Sequence, residues 1–186
     1  MTLAELLTEI VRLLDAAQIP HMVTGSLAST HHGEPRTTRD IDIVIDPAEA
    51  NLANFVTMLD RDRFYVGDAT DALDRRDQFN VIDVATGWKV DLIIRKERPF
   101  SRSEFARRQA VVIAGVPTAV ASVEDTILAK LEWAKAGGSD RQRRDVIAML
   151  TVQGETIDTA YLHHWAQILG VTDDLRAAVE AAEAED

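Results

Sequence analysis

Cysteine is absent from this chain of 186 residues, and so is any long apolar run. Without cysteine the protein holds neither a disulfide nor a thiolate metal site, which fits a reducing cytoplasm. Glycine, proline, histidine or serine interrupts each uncharged stretch before it reaches the roughly 20 residues of a membrane span. The first 17 residues follow an acidic amphipathic pattern rather than that of an export signal. We therefore predict a cytoplasmic protein with no membrane partner.

Positive charge is also in short supply, since 20 lysines and arginines face 31 aspartates and glutamates, for a net charge of −11. Proteins that coat nucleic acid without specificity bind through lysine and arginine, so this class of function is excluded. One segment departs from the average, because residues 95–108 hold six basic and two acidic side chains. Such a run either attracts a polyanion or forms a solvated helix face. Its basic members are Arg95, Lys96, Arg98, Arg102, Arg107 and Arg108.

Hydrophobic residues are plentiful, at 46% of the chain, which is enough for a packed core. Up to residue 121, strand-like and helix-like patterns alternate, which predicts an α/β (α+β) core with a mixed, twisted sheet flanked by helices. The predicted elements are helix 2–17, strand 21–26, helix 27–33, strand 40–46, helix 47–59, strands 79–86 and 89–95, and a hairpin 109–121 around Gly115.

The pattern becomes helical after Ser122. Ser122 with Asp125 resembles a capping box, and Gly137 with Gly138 would end the helix that it begins. Further helices are predicted at 140–153, 156–169 and 172–184. We therefore predict a core domain, residues 1–121, and a helical C-terminal region, residues 122–186, packed on that core.

Two acids stand in an otherwise apolar strand. Residues 33–46, GEPRTTRDIDIVID, pass from a turn-prone polar half into a strand that carries Asp40 and Asp42. Residues two apart in a strand point to the same face, so these carboxylates lie side by side while Ile41 and Ile43 face the core. Because two close carboxylates repel each other, the pair either has one raised pKa or attracts a cation.

A third acid is expected beside this pair. Asp91, in the stretch KVDLI, and Asp83, in NVIDVAT, are the two candidates. We favour Asp91 because its neighbours are more apolar and its strand begins directly after a turn. Three carboxylates without cysteine suit Mg²⁺, a hard cation that takes oxygen ligands. Each acid taken alone could equally be an ordinary strand-end residue.

Gly25 and Ser26 lie between a predicted strand and a predicted helix. Glycine lets the backbone approach a phosphate closely, and the first turn of a helix offers free N–H groups. Most Gly-Ser turns, however, are only turns. Gly25 and Ser26 indicate a phosphate-binding turn only in combination with Asp40 and Asp42, which follow them in the chain.

These features together resemble a known superfamily. The stretch GSLASTHHGEPRTTRDIDI, residues 25–43, is similar to the signature of DNA polymerase β-type nucleotidyltransferases, in which a Gly-Ser turn and a short helix precede an Asp-x-Asp strand. Its part HGEPRTTRDIDI further resembles the AbiEii-type branch, which includes nucleotidyltransferase toxins of toxin–antitoxin systems. The resemblance covers roughly residues 20–95. It implies transfer of a nucleoside monophosphate from an NTP to an acceptor hydroxyl, with two Mg²⁺ ions or Mn²⁺ in their place.

The resemblance also implies roles for individual residues. It assigns triphosphate binding to Gly25 and Ser26, both metal ions to Asp40 and Asp42, and the catalytic metal and deprotonation of the acceptor to Asp91.

A second resemblance lies in the C-terminal part. The stretch EDTILAKLEWAKAGGSDRQRRDVIAML is similar to the helix with a lysine, followed by a basic-acidic pair, of the same branch. It implies a triphosphate contact for Lys130, with Arg144 and Asp145 as weaker candidates. Lys130 also borders an apolar stripe, where its stem could cover the core instead. Arg36 could either pin the loop before Asp40 or touch the substrate.

The acceptor stays open at this point, because tRNA, a partner protein and a small molecule such as an antibiotic all occur as acceptors among proteins of this general kind. The basic run begins just after Asp91, so we expect it near the catalytic end of that strand, where it would favour RNA, and tRNA in particular. A toxin of this kind would have a cognate antitoxin protein as its partner. The alternatives are an antibiotic-modifying enzyme with a small-molecule acceptor, and a catalytically degenerate protein that only binds.

Overall fold

A computed structural model of the protein describes residues 1–137 and 139–185. Gly138, predicted to help end a helix, lies outside the described residues. By its internal contacts the chain divides into two units. The sheet unit comprises Met1–Leu27 and Thr37–Val120, and the helical unit comprises Ala28–Arg36 and the chain from Ala121 onward. The domain boundary after residue 121 stays a prediction.

The sheet unit is built on a mixed sheet of seven strands, in the order β3-β4-β5-β2-β1-β7-β6. Strands β2 and β5 are parallel, as are β1 and β7, and the other neighbours are antiparallel. The strands are β1 (His21–Thr24), β2 (Asp40–Ile45), β3 (Phe64–Val66), β4 (Gln78–Asp83), β5 (Lys89–Ile94), β6 (Gln109–Ile113) and β7 (Val116–Val120). This sheet confirms the predicted mixed α/β class.

The helices of the sheet unit are α1 (Leu3–Ala16), α3 (Glu49–Met58), α4 (Ala69–Arg75) and α5 (Pro99–Ala106), whereas α2 (Gly25–His32) contributes residues to both units. The first helix begins at a capping box, in which Glu5 N donates to Thr2 Oγ1 (3.2 Å) and Thr2 N donates to Glu5 Oε2 (2.7 Å). Its apolar stripe is buried, as its leucine spacing predicts. Strand β3 and helices α4 and α5 were not predicted from the sequence.

Strand β2 buries one face, and its other face is polar at Asp40 and Asp42 and apolar at Val44. Alternate residues of β2, namely Ile41, Ile43 and Ile45, are fully buried. Because side chains alternate between the faces of a strand, the residues between them project from the opposite face. A slip of one residue would bury the acids and expose the isoleucines, so the apolar alternation fixes which face the acids occupy.

The helical unit contains α6 (Val123–Gly137), α7 (Asp140–Gln153), α8 (Thr159–Leu169) and α9 (Thr172–Glu185). The predicted cap of α6 is present, since Asp125 N donates to Ser122 Oγ (3.2 Å) and that hydroxyl donates to Asp125 Oδ2 (2.7 Å). The predicted helix 156–169 is shorter than expected, because Gly154–Thr156 form a 3₁₀ turn and Asp158 caps α8. None of the helices within residues 1–137 and 139–185 combines the length and apolarity needed to cross a membrane.

Candidate active site

The register of two parallel strands brings the predicted acids onto one face of the sheet. Asp42 on β2 is aligned with Asp91 on β5, and Asp40 is aligned with Lys89. Aligned residues of neighbouring strands project to the same side, so all three carboxylates share the polar face. We call Asp40, Asp42, Asp91 and Lys89 the carboxylate cluster.

Asp83, the competing third acid, faces the other way. On β4 it is Asn80 and Ile82 that align with Asp91 and Lys89, so Asp83 projects from the packed face and is 2% exposed. There it accepts hydrogen bonds from the N–H (2.8 Å) and hydroxyl (2.6 Å) of Thr86. The Thr86 hydroxyl, together with Arg63, holds the pKa of Asp83 below its ordinary value despite burial. Asp83 therefore closes the turn after β4.

A lysine lies within the carboxylate cluster. Lys89 Nζ is 2.7 Å from Asp91 Oδ2 and 4.0 Å from Asp40 Oδ1. The hydrogen bond to Asp91 raises the pKa of Lys89, against the opposing effect of burial. The second oxygen of Asp91 accepts a hydrogen bond from Asn80 Nδ2. Asp91 is thus held at both oxygens.

Sequence reasoning missed Lys89 and Asn80. The signal for Lys89 was available, because a residue two positions before Asp91 on a strand shares its face. Asn80 carried no local signal, since its place beside Asp91 depends on the antiparallel pairing of β4 with β5.

Gly25 is fixed by its conformation and by Asp42. Its φ of +61° lies in the left-handed region that favours glycine. A Cβ at this position would overlap the carboxylate of Asp42. The strand register explains this approach, because Thr24, the residue before Gly25, is aligned with Asp42. The Gly-Ser turn and the acid pair predicted from the sequence therefore belong to one local structure, with Ser26 in the first turn of α2.

The carboxylate cluster offers the oxygen ligands that Mg²⁺ prefers, and it already holds one cation, the ammonium of Lys89. Its three carboxylates do not converge on a single point, however. Across the part of the chain that the structure describes, no group of three or more histidine, aspartate or glutamate side chains is close enough to hold a metal ion.

Lys130 and Arg36 meet at Asp145 in the helical unit. Arg36 binds Asp145 through both carboxylate oxygens, at 2.9 Å from Nε and 2.8 Å from Nη2. Lys130 Nζ donates to Asp145 Oδ2 (2.7 Å) and to Gln142 Oε1 (2.8 Å). We call Arg36, Lys130 and Asp145 the Asp145 cluster. Its side chains are 24%, 5% and 9% exposed, respectively.

Electrostatics stabilise the charged form of Asp145. Burial by itself would raise the pKa of this carboxyl, but the hydrogen bonds and charges of Arg36 and Lys130 outweigh that effect, and the pKa lies below its ordinary value. Arg36 therefore ties residues 28–36 of the helical unit to α7. Lys130 is buried, so its ammonium does not snorkel to solvent. Triphosphate contacts for Lys130 and Arg36 stay predictions. Arg144, the weaker candidate, is exposed.

The position expected for the basic run was wrong. Asp91 is the third residue of β5, and the strand continues to Ile94 before Arg95. Arg95 N donates to Ile45 O (2.8 Å), at the far end of β2 from Asp40. Arg95 lies four positions after Asp91 along the chain, about 13 Å at 3.3 Å per residue. The run thus begins at the opposite end of β5 from the acids.

Arg95 and Arg102, two members of this basic run, lie close to acidic side chains. Arg95 Nε is 3.0 Å from Asp46 Oδ2. Glu97 accepts from Arg102 (2.9 Å), and Arg76 and Arg95 lie at 3.1 and 3.2 Å from it. The hydrogen bond from Arg102 and these charges lower the pKa of Glu97. Arg95 and Arg102 therefore belong to a network of ion pairs around Glu97.

Comparisons with known proteins identify the fold. No protein-family model matches the chain, and no curated protein sequence matches it. Solved structures do match. The antibiotic-resistance factor ANT(2'')-Ia aligns with 98% of this chain and 95% of its own, at 17% identity and a TM-score of 0.60. A nucleotidyltransferase-like antigenic protein from Paracoccidioides brasiliensis aligns over 96% and 92%, at 18% identity and a TM-score of 0.58.

A third match is the lincosamide antibiotic adenylyltransferase LnuA in its lincomycin-bound form. It covers 82% of this chain and 98% of its own, at 11% identity and a TM-score of 0.56. The chain therefore has the nucleotidyltransferase fold. These neighbours show the fold that the resemblance implies and do not bear on the AbiEii-type branch.

Proposed function

We propose that this protein is a Mg²⁺-dependent nucleotidyltransferase that moves a nucleoside monophosphate from an NTP to an acceptor hydroxyl. The observation that carries the proposal is the alignment of Asp42 with Asp91 across two parallel strands, with Asp40 on the same face. The fit of Gly25 against Asp42 adds support, because it joins the turn suited to phosphate to the carboxylates suited to metal.

Asp40 and Asp42 would hold both ions, and Asp91 would hold the ion that serves the acceptor. Bound divalent ions would neutralise phosphate charge and make the acceptor hydroxyl more acidic. In the transfer, the acceptor oxygen would bond to the α-phosphorus, the bond from that phosphorus to pyrophosphate would break, and the hydroxyl proton would pass to the carboxylate of Asp91. Gly25 and Ser26 would hold the triphosphate, since phosphoryl transfer depends mostly on positioning and charge neutralisation.

For the acceptor we favour a small hydroxyl-bearing molecule over RNA. RNA was expected because a basic run was predicted beside Asp91. That run begins at the other end of β5, so it does not support an RNA acceptor. Around Asp91 the carboxylate cluster has three carboxylates to one ammonium, which suits a neutral or cationic acceptor better than a polyanion. Two neighbours of the same fold are described with small molecules, ANT(2'')-Ia with adenylyl-2''-tobramycin and LnuA with lincomycin.

The experiment that tests the function is a transfer assay. The protein is incubated with Mg²⁺, each α-labelled NTP in turn, and either total tRNA or a panel of aminoglycosides and lincosamides, and label is followed into each fraction. We expect transfer to a small molecule. Label in tRNA would instead support the RNA acceptor, and with it the toxin role and an antitoxin partner.

Asp42→Asn provides the site-specific control. Mg²⁺ with NTP should raise the melting temperature of the wild type, because a ligand that binds the folded state stabilises it. Asp42→Asn should remain folded and lose most of this increase, whereas the exposed Asp62→Asn should keep it. Transfer to no acceptor together with an unchanged metal response in Asp42→Asn would contradict the proposed site.

A further inference from the structure

Lys89 holds a position that the proposed function does not use. It projects from the same face as Asp91, two residues before it, and is aligned with Asp40 on the neighbouring strand. Its ammonium is hydrogen-bonded to Asp91 Oδ2 and lies 4.0 Å from Asp40 Oδ1. A single positive charge therefore bridges two of the three carboxylates that are proposed to bind metal.

The ammonium and a divalent ion compete for the same oxygen. Asp91 is 9% exposed at its side chain, and its other oxygen already accepts from Asn80. An ion that bonds to Asp91 must therefore displace Lys89 from Oδ2 or share that oxygen with it. Sharing places like charges a few ångströms apart, which costs free energy even at a partly solvated site. The side chain of Lys89 is flexible and 34% exposed, so its ammonium can move from Asp91 into solvent.

We infer that Lys89 is a resident counter-ion of the carboxylate cluster, which holds Asp91 in place before metal binds and leaves Oδ2 when metal binds. Lys89 is a positioning residue in this inference, and Asn80 keeps Asp91 oriented during the exchange. The inference rests on the proposed function, because it takes Asp40, Asp42 and Asp91 as the metal ligands. Competition from Lys89 would lower the metal affinity of the site below that of three carboxylates without a nearby cation.

An ordinary structural ion pair makes a different prediction. If Lys89 only stabilised the fold, its removal would lower the melting temperature and leave metal affinity unchanged or weaker. Removal of a resident counter-ion would change the melting temperature and the metal affinity in opposite directions. Without the ammonium, the metal-free protein loses stability because three carboxylates are left with less compensation, whereas the metal gains affinity because its competitor is gone.

The test measures both quantities in the full chain at one pH, with Mn²⁺ alone as the probe. In Lys89→Met we expect the metal-free melting temperature to fall by about 2–6 °C. Mn²⁺ should bind on the order of three- to tenfold more tightly by titration calorimetry, as expected when a nearby cation is removed. Lys89→Arg, which keeps the charge, should stay close to the wild type. Lys96→Met, which removes an exposed lysine elsewhere in the sheet unit, should change neither quantity.

Two outcomes would overturn the inference: unchanged or weaker Mn²⁺ binding in Lys89→Met, or equal tightening in Lys96→Met. If Lys89→Met fails to fold, Lys89→Gln replaces it under the same criteria. Asp42→Asn separates this failure from failure of the proposed function. When Asp42→Asn binds Mn²⁺ as the wild type does, the proposed metal site is wrong, whatever Lys89 does. When Asp42→Asn loses Mn²⁺ and Lys89→Met gains no affinity, only the role of Lys89 is wrong.

Discussion

The carboxylate cluster of the sheet unit and the Asp145 cluster of the helical unit use the same chemistry in opposite proportions. The first has three carboxylates to one ammonium, and the second has two cations to one carboxylate. They also differ in the exposure of their lysines, since Lys89 is 34% exposed at its side chain and Lys130 only 5%, while Asp91 and Asp145 are both 9% exposed. Charge imbalance alone therefore does not mark a ligand site. Solvent access, which allows an ion to be exchanged, separates a site for ligands from a clamp that holds the fold.

The largest effect is expected where the carboxylate cluster would do chemistry. Asp91→Ala should lower transfer on the order of a thousandfold, as the loss of one preorganised polar group at a reaction centre does. Asp83→Ala should keep transfer while losing about 1–3 kcal/mol of stability, because it removes the acceptor of Thr86 and one acceptor of Arg63. Initial rates and urea denaturation of both variants measure this contrast. The reverse pattern would move the catalytic assignment to residue 83.

The next effect concerns the buried clamp. Asp145→Ala leaves two cations without their shared carboxylate, and removing one partner of a buried pair costs about 3–5 kcal/mol. Asp140, on the same helix, is 89% exposed, so Asp140→Ala should change the free energy of unfolding by less than about 0.5 kcal/mol. Urea denaturation of the two variants measures both values. Equal stability of the two would show that the Asp145 cluster is no clamp.

A smaller effect is expected from Lys130→Met, which decides whether the clamp also serves the nucleotide. If Lys130 contacts the triphosphate, the Kd for NTP should rise about tenfold, the size of one lost charged hydrogen bond. Lys135→Met, which removes a lysine bonded to Gly170 O on the same helix, is the control for stability and should leave the Kd unchanged. A loss of stability in Lys130→Met with the wild-type Kd would assign this lysine to the clamp alone.

The smallest effect is a difference in acid sensitivity. Because the pKa of Asp145 is lower in the folded state than in the unfolded chain, its stabilising contribution is present above the unfolded value and declines as pH falls through the folded value. The free energy of unfolding should therefore fall more steeply below about pH 4 in the wild type than in Asp145→Asn. Parallel slopes for the two proteins would contradict the lowered pKa.

The sequence predicted the elements whose pattern is local. Alternating isoleucines predicted strand β2, and leucines at helical spacing predicted α1. Helix α4 was missed because it ends at Arg76, which adopts φ +52° without the glycine that usually signals a left-handed cap. Strand β3 has three residues, too few for alternation to be recognised.

Parts of the candidate site that depend on strand pairing could not be read from the chain. Asp40 was expected beside Asp42 because residues two apart on a strand share a face. Asp91 was favoured as the third acid because its neighbours are apolar. Nothing local revealed that Asn80 would meet Asp91, since that contact requires the antiparallel register of β4 and β5. The error over Arg95 has a similar cause. Proximity to Asp91 in sequence was mistaken for proximity in space, although an extended strand carries successive residues steadily apart.

The fit of Gly25 against Asp42 has a consequence for genetic suppression. A side chain at position 25 would need a smaller residue at position 42 to make room for it. Under the proposed function, a smaller residue at 42 removes a metal ligand, so that second change would relieve the overlap and lose the activity. Selection for activity after Gly25→Ala should therefore return true revertants at codon 25 rather than second-site changes at codon 42. The two positions form a pair in which only the starting combination satisfies both packing and chemistry.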